Sequence, residues 1–283
     1  MRYRWMFLLV LLSSGMIACN SIPHANQGKS TDPAKETATL TVVTLNLWHD
    51  KGDWPHRRAI IVESLRKSRP DAIFLQEVLQ DEKLQNQAAD LAQLLGYEHH
   101  FVSIDPPTKT RRYGNAVLTR HPVLAKDGIP LQPPEDYRVA GLVRADIDGR
   151  PVNFYVTHLN FTDKTGATRA QQIRDLLAFV DATRGDAPSV IAGDFNIAAD
   201  APELAPLRAR FTDAFAATHP DANAPANTTL NLRYDHPPQR IDHVFLETAA
   251  FEPMETRIIL DQPDKAGVWA SDHFGMWARF RRK

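Results

Sequence analysis

Apolar positions along this chain recur in two rhythms, and they do so only from Thr39 onward. Residues 39–45 are β-branched and partly alternating, which predicts a strand ending at Asn46-Leu47-Trp48. Pro55 near the start, with Ile60, Ile61 and Leu65 at helical spacing, predicts a helix over 54–68 that Arg69-Pro70-Asp71 stops. Ala72-Ile73-Phe74-Leu75 is a predicted buried strand that ends at Gln76-Glu77-Val78. Leu84, Ala88, Leu91 and Leu95 share one face of a second predicted helix, 82–95, closed by Gly96. Residues 101–112 hold Pro106-Pro107 with Lys109, Arg111 and Arg112, and are expected to be a loop. Residues 115–119 form a further strand, closed by His121-Pro122. Residues 142–147 and 152–157 predict a hairpin across Asp148-Gly149-Arg150, whose second strand ends at His158-Leu159-Asn160. Ile173, Leu176, Leu177 and Val180 mark an amphipathic helix over 169–181 that feeds a short strand, 190–192. After Asn196 the chain is rich in Ala and Pro and is expected to wind over the surface with short helices. Residues 240–246 and 273–278 are the last predicted strands. No internal repeat and no second linker interrupt this order, so one α/β domain over 38–283 is the simplest division.

The first residues follow a different logic. Arg2 and Arg4 precede a short apolar core, 5–12, and small residues then lead to Cys19, the one cysteine of the sequence. The run is shorter than the roughly 20 residues a membrane span needs, which points to a processed leader over 1–18. Met16-Ile17-Ala18-Cys19 resembles a bacterial lipobox, which implies a lipid on Cys19 and removal of the leader. A plain secretory signal is the competing reading. With Asn20 next, the resemblance implies anchoring in the outer membrane, on the periplasmic side of the envelope. Residues 19–37, polar and without an apolar period, read as a flexible tether. Net charge is -1, so the chain lacks the basic bias of a general nucleic-acid binder. The basic end, Arg279 to Lys283, is expected to be a solvated tail. No protein partner is expected, and the chain is expected to be monomeric.

Chemistry gathers where the predicted strands stop. Asn46, Glu77, His158 with Asn160, Asp194 with Asn196, Asp242, and Asp272 with His273 all fall at strand ends, the usual seat of catalytic groups on a rigid sheet. Asn46, Glu77 and Asp272 offer hard oxygen atoms suited to Mg²⁺ or Mn²⁺. Asp194 beside Asn196 is the acid-plus-amide pair that positions water and holds a phosphoryl oxygen. His158 and Asn196 suit phosphoryl oxygens, and His273 with a carboxylate suits a general base or an electrostatic clamp. Each has a plainer reading: Gly-Asp and Asp-x-Asn are turn formers, Asn46 could cap a strand, Asn160 is evenly divided between turn and substrate contact, and Trp48 favours packing. Arg111, Arg112 and Arg138 could grip a phosphate or simply face water. A zinc site is disfavoured by the absence of a His-x-x-x-His pair and of cysteines in the domain, and a serine nucleophile by the absence of a Gly-x-Ser-x-Gly elbow.

Taken in order, Thr44-Leu45-Asn46-Leu47-Trp48, Leu75-Gln76-Glu77-Val78, Thr157-His158-Leu159, Gly193-Asp194-Phe195-Asn196, Arg240-Ile241-Asp242-His243 and Ser271-Asp272-His273-Phe274 resemble the endonuclease/exonuclease/phosphatase family. The resemblance covers the domain from Thr39 onward. It implies a four-layered α/β sandwich, two mixed sheets face to face with helices outside. It also implies metal-dependent attack of water on a phosphoester, with Glu77 and Asn46 at the metal and Asp272 close by. Asp194 would orient or activate the water. Asn196 and His158 would hold the phosphoryl group, and Asp242 would orient His273. His243 departs from the tyrosine common at that position. The family spans nucleases, phospholipases, inositol phosphatases and repair enzymes, so it does not fix the substrate. The Arg-Ile-Asp-His run disfavours the inositol phosphatases, and an export signal disfavours abasic-site repair. A phosphodiesterase acting on nucleic acid or a nucleotide leads, ahead of a sphingomyelinase- or phospholipase-like esterase at the membrane. A non-catalytic envelope binding protein is the alternative from another class.

Overall fold

The structure is a computed structural model that describes residues 39–283. The expected leader, tether and lipidated Cys19 lie outside the described residues. In chain order the first half supplies β1 (Thr39–Asn46), α1 (Trp54–Ser68), β2 (Ala72–Gln80), α2 (Gln87–Leu95), β3 (Glu98–Ser103), β4 (Arg112–Thr119), β5 (Val123–Pro130), β6 (Val139–Ile147) and β7 (Arg150–His158). The second half supplies α3 (Ala167–Thr183), β8 (Ser189–Asp194), α4 (Ala205–Arg208), β9 (Phe211–Asp213), α5 (Ala214–Thr218), β10 (Asp242–Glu247), β11 (Phe251–Ile259) and β12 (Gly275–Arg282). One 6-stranded sheet is ordered β11-β12-β1-β2-β4-β3 and the other β5-β6-β7-β8-β10-β9.

Each sheet has one parallel pair bridged by a helix, β1 to β2 through α1 and β7 to β8 through α3, as a parallel crossover requires. The central strands are buried on both faces, which is why they read as nearly unbroken apolar runs. Val42, Phe74, Val117, Phe154, Val190 and Val244 pack between the sheets. Their neighbours Val43, Ile73 and Leu75 turn outward under Ile61 and Leu65 of α1 and Leu91 of α2. On the far side Tyr155, Ile191 and Phe245 meet Ile173, Leu176 and Val180 of α3. The result is the four-layered sandwich the resemblance implied.

Local chemistry sets the element ends. Asp53 accepts from the His56 amide to start α1, and Arg69 closes it in the left-handed region. The second helix begins later than the apolar spacing suggested. Asn86 caps it by accepting from Ala88 and Ala89, while Asp81 folds residues 82–84 into a turn by accepting from Lys83 and Leu84. The segment expected to be a loop from 101 contains the end of β3, whose partly exposed residues lack a clean alternation. Edge strands β5 and β11 escaped the pattern for the same reason. The C-terminal arginines face solvent as expected, yet they are part of the sheet. They lie on β12, where Arg281 pairs with Glu252 and Arg279 with Glu255 across to β11. Among the described residues, no helix is long and apolar enough to cross a membrane.

Asp71, at the turn into β2, ties the strand ends of the first sheet together. Its Oδ2 accepts from the amide and hydroxyl of Thr41 (2.6 and 3.1 Å) and its Oδ1 from Arg120 and His121 (2.6 and 2.7 Å). Burial alone would raise its pKa, but the His121 and Thr41 hydrogen bonds and the Arg120 charge outweigh it and hold the carboxyl below its ordinary value. A folded-state pKa below the unfolded one gives stability that is present above about pH 4 and lost as pH falls through the folded value. Asp71→Asn should therefore cost roughly 3 kcal/mol in urea unfolding at pH 7 and show a flatter loss of stability on acidification.

Candidate active site

The polar ends of both sheets meet because of strand register. In the second sheet His158 of β7 stands beside Asp194 of β8, and Asp194 stands opposite Asp242 of β10. Gly193 permits this close approach, since a Cβ there would lie 1.9 Å from the Thr157 carbonyl oxygen. Asn46, at the end of β1 in the other sheet, reaches across and donates from Nδ2 to Asp194 Oδ2 at 3.1 Å. The same oxygen lies 3.4 Å from His158 Nε2 and 3.9 Å from His273 Nε2. Asp194 Oδ1 accepts from the Asn196 amide at 2.9 Å.

Asp242 is fully buried and its Oδ2 meets His273 Nδ1 at 2.9 Å; the Thr229 hydroxyl accepts from its amide. This contact leaves His273 Nε2 facing Asp194. Asp194, Asp242 and His273 offer atoms all within 4.8 Å of one another. Burial, then the charge of Asp242, pushes the Asp194 carboxyl up to about 7. For His273 burial opposes the charge, but Asp242 and Asp194 prevail and raise it to about 10. The trio therefore holds a proton on His273 at neutral pH, with Asp194 poised to gain or lose one. His158 behaves in the opposite way: burial and Arg138 hold its pKa well below the ordinary value, so it is a neutral imidazole.

Other expected residues are placed around this centre. Asn196 adopts φ 53° and donates from Nδ2 to the Leu159 carbonyl, which fixes its side chain beside the His158 strand end. Asn160 resolves toward the turn. Its Nδ2 donates to Asp136 and Thr162 and its Oδ1 accepts from the Asp163 amide, so both amide protons are spent inside the loop. Glu77 sits at a bulge in β2 at φ 55°, with Oε2 3.7 Å from His49 Nε2; the strand does not end there but runs on to Gln80. Asp272 Oδ2 lies 3.5 Å from His236 Nε2, and its Oδ1 lies 3.3 Å from the Ser271 hydroxyl oxygen.

Glu77 and Asp272 fit a hard divalent cation: each is a half-buried or exposed-edge carboxylate whose imidazole contacts are long, leaving lone pairs free. Asn46 Oδ1 accepts from the Trp48 amide at 3.0 Å and retains a second lone pair. The Asp194–Asp242–His273 trio is already paired internally, and its geometry suits proton handling better than a cation cage.

Sequence reasoning passed over Tyr113, His49 and His236, which lie in segments without periodicity. Burial and the Glu77 charge raise the Tyr113 phenol far above its ordinary value, and Arg138 reaches its hydroxyl. Arg138 is buried, lies 3.7 Å from Asp136 and covers the exposed ring of Phe161. Of the three arginines left open, Arg138 is thus at the site. His243 accepts at Nδ1 from Arg240, which also grips Asp213, and donates from Nε2 to the Ile197 carbonyl. Burial and Arg240 push its pKa down to about 4, so this residue is a neutral tie that pins the chain after Asn196.

Comparison with known proteins identifies the family and the fold. Nocturnin of Drosophila melanogaster is 30% identical over 163 residues, covering 50% of this chain but only 24% of that relative. The structure of an endonuclease/exonuclease/phosphatase from Beutenbergia cavernae DSM 12333 superposes with a TM-score of 0.68 at 25% identity, over 86% of this chain and 72% of the other. D. rerio TDP2 complexed with a single-strand DNA product shares the fold, with a TM-score of 0.71 at 18% identity over 86% and 99%. So does the human nocturnin catalytic domain with bound sulfate, at 0.69 and 21% over 87% and 94%. A family model described as the Endonuclease/Exonuclease/phosphatase family matches residues 43–273. The chain belongs to that family of phosphoester hydrolases.

Proposed function

We propose that this protein is a phosphodiesterase that cleaves a P–O bond by in-line attack of water, with nucleic acid or a nucleotide as the leading substrate class. The observation that carries this reading is the convergence of Asn46, His158 and His273 on one carboxylate oxygen of Asp194. Asp194, ionised above about pH 7, accepts the proton of the attacking water while Asn46 holds its orientation. Protonated His273, fixed by Asp242, donates from Nε2 toward a non-bridging phosphoryl oxygen as charge builds there. His158 and Asn196 line the same oxygens. Arg138 on the flank favours an ester carrying a further anionic group. A divalent cation, Mg²⁺ or Mn²⁺, held by Glu77 with Asn46 and Asp272, would supply positive charge to the phosphoryl group. We also propose that the domain is tethered to the outer membrane through lipid on Cys19.

Asp194→Asn should lower kcat/KM for bis-p-nitrophenyl phosphate by about 10³-fold with an unchanged circular dichroism spectrum; near-native activity would remove Asp194 from the mechanism. The pH profile of the wild type should rise through about 7 as Asp194 loses its proton and fall toward 10 as His273 loses its own. Its rising limb should vanish in Asp194→Asn. Excess EDTA should abolish turnover and Mg²⁺ or Mn²⁺ restore it, with Glu77→Gln needing roughly tenfold more metal for half-maximal rate. Turnover indifferent to chelation would exclude the metal. Cys19→Ser should move the protein from the membrane to the soluble fraction of fractionated cells.

A further inference from the structure

A cleft of about 360 Å³ opens beside the site, walled by Trp48, Tyr234 and Trp269. We propose that it is a nucleobase subsite and that Arg233 at its mouth pairs with a neighbouring phosphate. This rests on the phosphodiesterase reading and names the part of the substrate that the catalytic groups leave unbound.

Every wall is chained to a catalytic residue. The Trp48 amide donates to Asn46 Oδ1. Tyr234 ends a short turn, Leu232–Tyr234, which Asn231 caps while its own amide donates to the Asp272 carbonyl at 2.9 Å. Trp269 lies just before Ser271, whose hydroxyl donates to the Asn46 carbonyl at 2.7 Å. The cleft walls are thus tied by hydrogen bonds to Asn46 and Asp272.

The walls are also preorganised. Arg57 is almost fully buried under Trp48, its guanidinium donating to the carbonyls of Leu47, His49, Lys51 and Ala270. That network fixes one face of Trp48 from beneath. Tyr234 meets Trp48 at 4.7 Å between ring centres, inclined by 54°. Yet Trp48, Tyr234 and Trp269 are each only half-buried, and Leu232 on the same turn is 51% exposed. Gly52 and Gly267 on the rim hold the left-handed backbone, φ 63° and 81°, that turns the chain around its edge. A cleft of this size with aromatic walls suits a planar ring.

Charge selects the kind of ring. Arg57 and Arg233 line the cleft with one carboxylate, Asp53. The Arg57 donors are spent on backbone carbonyls, which leaves exposed Arg233 as the group able to pair with a phosphate carried by the ring.

Binding of AMP to the full-length protein, measured by calorimetry, tests the subsite without turnover. The expected result is binding that weakens about tenfold in Tyr234→Ala and in exposed Arg233→Ala, and that is retained in Tyr234→Phe. Hydrolysis of a short oligonucleotide and of its analogue with abasic residues flanking the scissile phosphate supplies the second readout. Wild type should prefer the natural strand, and the ratio of the two kcat/KM values should fall about tenfold in Tyr234→Ala. Equal AMP affinity in all forms, no AMP binding, or an unchanged ratio would overturn the subsite, as would preference for phosphocholine over AMP. If AMP binds as expected but no diester is hydrolysed, the subsite stands and the phosphodiesterase reading falls.

Discussion

A buried carboxylate held between two sheets is the constraint on which this molecule depends. Asp194 is 1% exposed, and an ion so placed is tolerated only when its lone pairs are met. Asn46 meets one of them from the opposite sheet, which forces β1 and β8 to end at the same level. Gly193 lets β7 lie close enough for His158 to reach the same oxygen. Asp242 then shares the pocket, and two carboxylates so near each other demand a proton between them. His273 supplies it, positioned by a loop that Ser271 ties back to Asn46. One electrostatic problem thus sets strand register, loop course and protonation state together.

Away from this centre the structure uses buried polar groups as fasteners. Asp71 binds the strand ends of the first sheet, and Arg57 collects carbonyls from the loops that frame the aromatic cleft. Arg240, Asp213 and His243 form a buried set behind the second sheet. Each such set is satisfied internally, so it rigidifies the frame around groups that are left incompletely paired. Asp242 Oδ1 and His158 Nδ1, both buried without a hydrogen-bond partner among the described residues, belong to the latter kind. Incompletely paired polar atoms on these two residues leave them able to take a further partner, unlike the satisfied fasteners of the scaffold.

The apolar rhythms alone determined the helices at 54–68 and 169–181, the central strands and the hairpin at Asp148-Gly149, because these elements bury one or both faces and need the corresponding pattern. Edge strands β3, β5 and β11 are half-exposed, so burial put no rhythm into them, and pairing with a neighbour decided their structure. Sequence order likewise brought forward Asn46, Glu77, Asp194, Asp242 and His273, since Asn46 and Asp194 close apolar strands, Glu77 lies at a bulge within one, and Asp242 and His273 open or precede one. It left Asn160 undecided until its side chain was seen spent on Asp136, Thr162 and Asp163. Tyr113, His49, His236, Tyr234 and Trp269 carried no local signal, as their meaning lies in neighbours far away in the chain. What the sequence by itself determined was which elements form and which chemistry stands at their ends. Only tertiary structure decided which ends converge, and with them the proton on His273, because electrostatic energy depends on distance and burial and not on order along the chain.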